Sequence, residues 1–124
     1  MDSRPVNLNL FTIHFPITAI VSILHRLSGL VLFLFIPFGL WIFHQSLQSS
    51  AQFEAIQAVC SHWLVKFLIT FLLSAVVYHV FSGIRHLLMD LGLAEDIKSA
   101  RITAYLVLFL SVSGSLGIGY CLWL

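Results

Sequence analysis

Charge is what this sequence has least of. Only 9% of its 124 residues are Asp, Glu, Lys or Arg, against 60% hydrophobic, and a soluble domain of this length needs far more charge to cover its surface. The net charge of +1 leaves no basic stripe to neutralise phosphates, which argues against a nucleic-acid role. Cys60 and Cys121 stand far apart. They form no CxxC pair and are too few for an iron–sulfur cluster. Nothing in their spacing demands a disulfide. A glycine fingerprint for a dinucleotide is missing. So are internal repeats, low-complexity tracts and any stretch with the composition of a soluble domain. A carrier built on inverted repeats is therefore a poor match.

What is present is apolar and grouped. Leu27 to Phe43 is an uncharged run of 17 residues, Phe67 to Ile84 one of 18, and Ile102 to Leu124 one of 23. A helix needs about 20 mostly apolar residues to cross the hydrocarbon, so each run can span once its flanks join it. The expected architecture is all-α, one membrane-anchor domain over 1–124 with transmembrane helices at about 16–44, 63–89 and 102–124. Residues 1 to about 15 form a polar lead with Arg4-Pro5 and Pro16 as breakers. Gln45 to Ser61 has room for a short interfacial helix, and Asp90 to Arg101 is a charged elbow. Trp41, Phe43 and His44 close the first run where a signal peptide would carry small residues, so this run is expected to remain in the mature chain.

The basic residues give a direction. Arg4, Arg26, Arg85, Lys98 and Arg101 fall on the side of the N-terminus and second loop, and only Lys66 on the other. The positive-inside rule then puts the N-terminus inside and the C-terminus outside. Trp41, Trp63 and Trp123 fall at the opposite interface, where indole rings are favoured.

Ionisable groups at membrane depth are costly and mark a partner, a cavity or a ligand. Ser22, His25, Arg26 and Gly29 share one arc of about 100° on the first helix, and His79, Ser82, Gly83, His86 and Asp90 a similar arc on the second. His79 and His86 are roughly 10 Å apart along the axis, so they cannot both be axial ligands of one iron. One imidazole could hold a haem whose propionates meet His25, Arg26, Arg85 or His86, with a second axial ligand from another polypeptide. Ser22 and Arg26 could instead, or also, hold a quinone, whose carbonyls need donors and whose reduction creates charge that a fixed cation favours.

Plainer readings compete for each residue. A single His in a membrane helix can serve only to hydrogen-bond a neighbouring helix. Arg26, Arg85 and His86 lie near helix ends, where long side chains snorkel to head groups, and for Arg85 alone that is the favoured reading. Asp90 answers Arg85 or caps the elbow. His14, His44 and His62 sit at interfaces and receive no role. Pro37 is a kink, and Tyr78 and Tyr105 are interfacial or packing aromatics. Ser113, Gly114, Ser115, Gly117 and Gly119 give the third span small residues for packing. The functional reading gains from convergence, because both polar walls face one side of the membrane.

Three segments carry a resemblance to a known family. Arg4-Pro5-Val6-Asn7-Leu8, Ser22-Ile23-Leu24-His25-Arg26-Leu27-Ser28-Gly29, and Tyr78-His79-Val80-Phe81-Ser82-Gly83-Ile84-Arg85-His86-Leu87-Leu88-Met89-Asp90 resemble the cytochrome b556 subunits of succinate dehydrogenase, the larger of two small anchors in respiratory Complex II. The pair S-x-x-H-R-x-[ST]-G and H-x-x-x-G-x-R-H-x-x-x-D is specific; either half alone is weak. Many members have Ser-Pro-His after the initial Arg-Pro, whereas Val6-Asn7-Leu8 stands here.

The resemblance implies that His79 is an axial ligand of haem b, shared with the companion anchor. It implies that Ser22 and Arg26 line the ubiquinone site, and that His25, Arg26 and His86 lie near the propionates. It also implies partners: the companion anchor, an iron–sulfur subunit, a flavoprotein subunit and membrane lipid. The chain would be a multi-pass protein of the bacterial inner membrane, a non-catalytic subunit passing electrons from succinate oxidation in the tricarboxylic acid cycle to quinone. The alternatives are a fumarate reductase anchor using menaquinone and a haem-free structural anchor.

Overall fold

The structure is a computed structural model and describes residues 15–124, so the Arg4-Pro5-Val6-Asn7-Leu8 segment and His14 lie outside the described residues. Four helices follow in order, with no strand among the described residues: α1 Ile17–Ser46, α2 Ser50–Cys60, α3 Trp63–Asp90 and α4 Ile97–Trp123. Three of them, α1, α3 and α4, are long and apolar enough to cross a membrane. The expected all-α chain of three transmembrane helices is what the sequence forms.

Local chemistry sets each boundary. Ser49 caps α2, its hydroxyl accepting from the Gln52 amide at 3.2 Å, and the resulting short helix carries no buried residue. At the end of α3, Gly92 takes φ +77°. Its amide donates to the Met89 carbonyl and the Leu93 amide to that of Leu88, both at 2.9 Å. This paired closure needs a left-handed residue, which glycine supplies without a Cβ clash. The α4 helix starts at Ile97, ahead of the uncharged run, because the Asp96 carboxylate accepts from the Ser99 amide at 2.9 Å. Hydrogen bonding from Ser99 holds that carboxyl below its ordinary pKa. The turn with Lys98 and Arg101, expected as elbow, is therefore helix. Its charged tips are exposed, so a helical first turn at head-group level leaves them in water.

The packing inverts the soluble pattern. Leu30, Phe33, Leu34, Phe67, Phe109 and Leu116 are all exposed, while Val21, Ala100, Ala104 and Val107 are buried beside Ser28, Ser82, Arg85 and Ser111. Lipid tails are as apolar as leucine, so large side chains gain little by turning inward; small residues let backbones approach, and polar ones must find partners there. A Cβ built on Gly114 would sit 2.9 Å from Val77 Cγ1, so α3 and α4 touch where only glycine fits, whereas Gly117 and Gly119 have nothing that close.

The helices alternate in direction. The Trp123 indole donates to Thr70 Oγ1 at 3.0 Å, joining the end of α4 to the start of α3. At the other end Arg85 meets Ala100 and Thr103. Trp41, Trp63 and Trp123 thus share one end of the bundle and Ser22, His86 and Asp90 the other. Cys60 and Cys121 are both free thiols. The α1 helix runs unbroken through Pro37.

Candidate functional site

The two polar walls meet. His25 of α1 lies between two rings of α3, its centroid 4.3 Å from His79 and 5.1 Å from His86, with interplanar angles of 21° and 28°. Helical spacing brings His79 and His86 to one face of α3, and the antiparallel register slides His25 between them. Glycines make the approach possible. A Cβ on Gly29 would stand 3.0 Å from His79 Cε1, and one on Gly83 would stand 3.4 Å from His25 Nε2. Gly83, which the sequence places on the same arc as His79 and His86, gives its room to the His25 imidazole.

Ser28 is the residue that sequence reasoning passed over. Its hydroxyl donates to the His25 carbonyl at 2.7 Å, and its oxygen lies 3.0 Å from His79 Nδ1. A hydroxyl has one proton. With that proton on the shorter bond the oxygen accepts, an arrangement that favours the His79 tautomer with its proton on Nδ1 and the lone pair on Nε2. A second partner that fixes the tautomer is what a metal-ligating imidazole requires. The signal in the sequence was the small hydroxyl one residue before Gly29, at the point of closest approach.

Among the described residues, His25 Nε2, His86 Nδ1 and Ser82 Oγ are buried and make no hydrogen bond, and such atoms cost free energy until something satisfies them. The three imidazoles stack rather than converge, and among the described residues no cluster of His, Cys, Asp and Glu is arranged to hold a bare metal ion. The set can offer one nitrogen lone pair and several unpartnered ring nitrogens. That donor set suits a macrocycle bringing its own equatorial ligands and anionic edges.

Next to the stack, towards the end that carries Asp90, a cavity of about 320 Å³ is lined by Thr18, Ala19, Ser22, Arg85, His86, Met89 and Asp90. Ser22 is half-buried there. Arg26, one helical turn on, is exposed and does not line this cavity. Arg85 overturns its expected role. Rather than snorkelling, it is 4% exposed and donates from Nε to Thr103 Oγ1 and from Nη2 to the Ala100 carbonyl, both at 3.2 Å. Its position on α3 turns it away from the imidazole face towards α4, where the buried Ala100 carbonyl on the first turn accepts from it. Tyr78 is likewise a tie between helices, its hydroxyl donating to the Val21 carbonyl at 2.8 Å.

Known proteins share this arrangement of sequence. The family model described as succinate dehydrogenase/fumarate reductase transmembrane subunit matches residues 1–118. The succinate dehydrogenase cytochrome b556 subunit of Coxiella burnetii is 42% identical over 122 residues, covering 97% of each chain. The cytochrome b556 subunit of Rickettsia bellii is 34% identical over 90% of this chain and 86% of its own. The cytochrome b560 subunit of Reclinomonas americana is 33% identical over 88% of this chain and 79% of its own. With the matched segment running from the first residue through the first two spans, the imidazole stack and most of the third span, this chain belongs to the transmembrane subunits of succinate dehydrogenase and fumarate reductase.

Proposed function

We propose that this chain is the large membrane anchor of a succinate:quinone oxidoreductase in a bacterial inner membrane, non-catalytic by itself, holding haem b with a companion anchor and forming part of the ubiquinone-reduction site. The observation that carries the reading is the Ser28–His79 contact at 3.0 Å. It leaves His79 Nε2 as a free lone pair inside a membrane helix bundle. Haem b, when bound, supplies a one-electron carrier beside the quinone. His25 and His86, with Arg26, provide the cationic and N–H edge that propionates require, and the unpartnered His25 Nε2 and His86 Nδ1 fit that edge. The companion anchor would supply the further ligand that a haem held by His79 needs.

Ser22 and Arg26 orient the quinone. The Ser22 hydroxyl can donate to a carbonyl oxygen, and a cation close by favours the negative charge that builds on that oxygen during reduction. Protons come from the aqueous side, which the positive-inside rule makes the cytoplasm, with the N-terminus inside. The flavoprotein and iron–sulfur subunits dock on that face and supply the electrons. Succinate oxidation, rather than fumarate reduction with menaquinone, is favoured by the names of the relatives.

The test uses the assembled complex. Ser22→Ala and Arg26→Leu should lower quinone reduction on the order of a hundredfold, about 2 to 4 kcal/mol of lost transition-state stabilisation. Succinate oxidation by a soluble artificial acceptor should survive in both. Normal quinone reductase activity in both variants, with haem retained, would move the pocket elsewhere.

A further inference from the structure

The cavity beside the imidazole stack contains a cation that the motif reading did not place there. Arg85 lines it together with Ser22, His86 and Asp90. It is almost fully buried, and its two hydrogen bonds go to neutral oxygens on α4, Thr103 Oγ1 and the Ala100 carbonyl. Neutral acceptors fix the guanidinium in place without cancelling its charge. A buried charge is costly unless something negative shares its surroundings. Asp90, also on the cavity wall, is exposed, so its carboxylate is largely satisfied by water. Arg26, by contrast, is itself exposed, and its charge is screened by solvent and salt.

We propose that Arg85 is a quinone-binding residue of this cavity: a fixed, buried cation, held from α4, that stabilises the negative charge developing on the quinone oxygen nearest Ser22. This rests on the reading of the Ser22 cavity as the quinone site and adds the third transmembrane helix to that site. Five N–H groups in a planar fork let Arg85 bond to Thr103 and Ala100 and still offer donors to a ligand. Preorganisation is the physical gain. A donor already locked in position needs no reorganisation as charge forms, and the low dielectric strengthens it.

A structural brace between α3 and α4 would also explain burial and both hydrogen bonds, so the test must separate the two roles. In the assembled complex, Arg85→Lys keeps the charge and loses the fork, while Thr103→Val keeps Arg85 and removes one of its two tethers. Arg85→Lys should raise both the quinone KM and the Kd of a quinone analogue roughly tenfold, the scale of one charged hydrogen bond. Thr103→Val should raise both a few-fold, on the order of one neutral tether. Dye-linked succinate oxidation and the amount of assembled complex should stay near wild type. If Ser22→Ala alters quinone kinetics while KM and Kd are unchanged in Arg85→Lys and Thr103→Val, Arg85 is a brace and the proposal fails with the pocket intact. If Ser22→Ala is silent as well, the pocket assignment itself falls. Should Arg85→Lys not assemble, Thr103→Val decides alone: an unchanged KM and Kd overturns the proposal.

Discussion

The α1–α3 and α3–α4 contacts are both built on small and polar residues, yet they are finished differently. Between α3 and α4 the long polar side chains reach partners, Arg85 to Ala100 and Thr103 and Trp123 to Thr70, and Ser111 Oγ of α4 alone is buried and unbonded among the described residues of that helix. There too the glycine at 114 is closed over by Val77. Between α1 and α3 only Ser28 and Tyr78 reach partners across the contact, while His25 Nε2, His86 Nδ1 and Ser82 Oγ stay buried and unbonded. Inside a membrane an unsatisfied polar atom has no water to fall back on. The unbonded ring nitrogens all lie on the α1–α3 side, so that contact is the one with open donors and acceptors for something that arrives later. The α3–α4 pair holds the shape; the α1–α3 pair receives.

The largest effect should come from breaking the receiving side at its centre. His79→Ala in the complex should abolish or greatly alter the reduced b-type absorption band, because among the described residues the one Nδ1 held by a cross-helix hydroxyl belongs to this ring. Ser28→Ala should keep the band and change the axial-ligand resonance signature, since it removes the partner that fixes the ring and its tautomer. Loss of such a partner typically costs about 10- to 100-fold in metal affinity, so haem should be released more readily on titration with a competing haem acceptor. An unchanged spectrum in His79→Ala would pass the ligand role to His86.

These contrasts also mark what could be read from residues alone. The spans were legible because uncharged runs of that length have few other uses, and the two walls because a helix repeats every 3.6 residues. Arg85 was not legible. The helical wheel gives its direction, but whether that direction holds lipid or another helix depends on how α4 packs. A residue six positions from His79 points well away from the imidazole face, and the sequence does not say that Ala100 and Thr103 wait there. Ser28 was missed for a related reason. Its bond to His79 depends on the vertical register between α1 and α3, set by Gly29 and Gly83 together. The start of α4 was displaced because Lys98 and Arg101 look like loop, whereas the cap at Asp96 allows them to be the first turns of a helix.

A smaller effect tests the closed side. Gly114→Ala would press a methyl to 2.9 Å from Val77 Cγ1, whereas Gly117→Ala meets nothing within 4 Å. Val77 is β-branched and its χ1 is nearly fixed in a helix, so it has little freedom to retreat. Overpacking costs about 1–3 kcal/mol, partly offset by the roughly 0.5–1 kcal/mol that alanine gains over glycine within a helix. Thermal denaturation of the detergent-purified complex should show Gly114→Ala weakened and Gly117→Ala equal to or slightly above wild type. Equal weakening by Gly117→Ala would mean that a second chain covers that face of α4.

The smallest effect lies at the N-terminus of α4, where the helix that holds Arg85 begins. The Asp96 carboxylate accepts from the Ser99 amide at 2.9 Å, and hydrogen bonding from Ser99 holds its pKa below the ordinary value. A carboxyl with a depressed folded-state pKa stabilises the fold above its unfolded pKa, and that contribution is lost as pH falls through the folded value. The window therefore opens below about pH 4, where free Asp titrates. Because the group is fully exposed, solvent screens it and the consequence should be local fraying rather than unfolding. Amide hydrogen exchange over residues 97–100 reads this directly. Asp96→Ala should raise exchange there a few-fold at neutral pH, the usual scale of a lost cap. Asp96→Asn keeps an accepting oxygen at the same place and should restore protection while removing the acid dependence. Since the Ala100 carbonyl on this first turn also holds Arg85, fraying in Asp96→Ala should loosen that tether and slightly raise the quinone KM. If exchange rises while KM does not, the Arg85 guanidinium is held well enough by Thr103 alone.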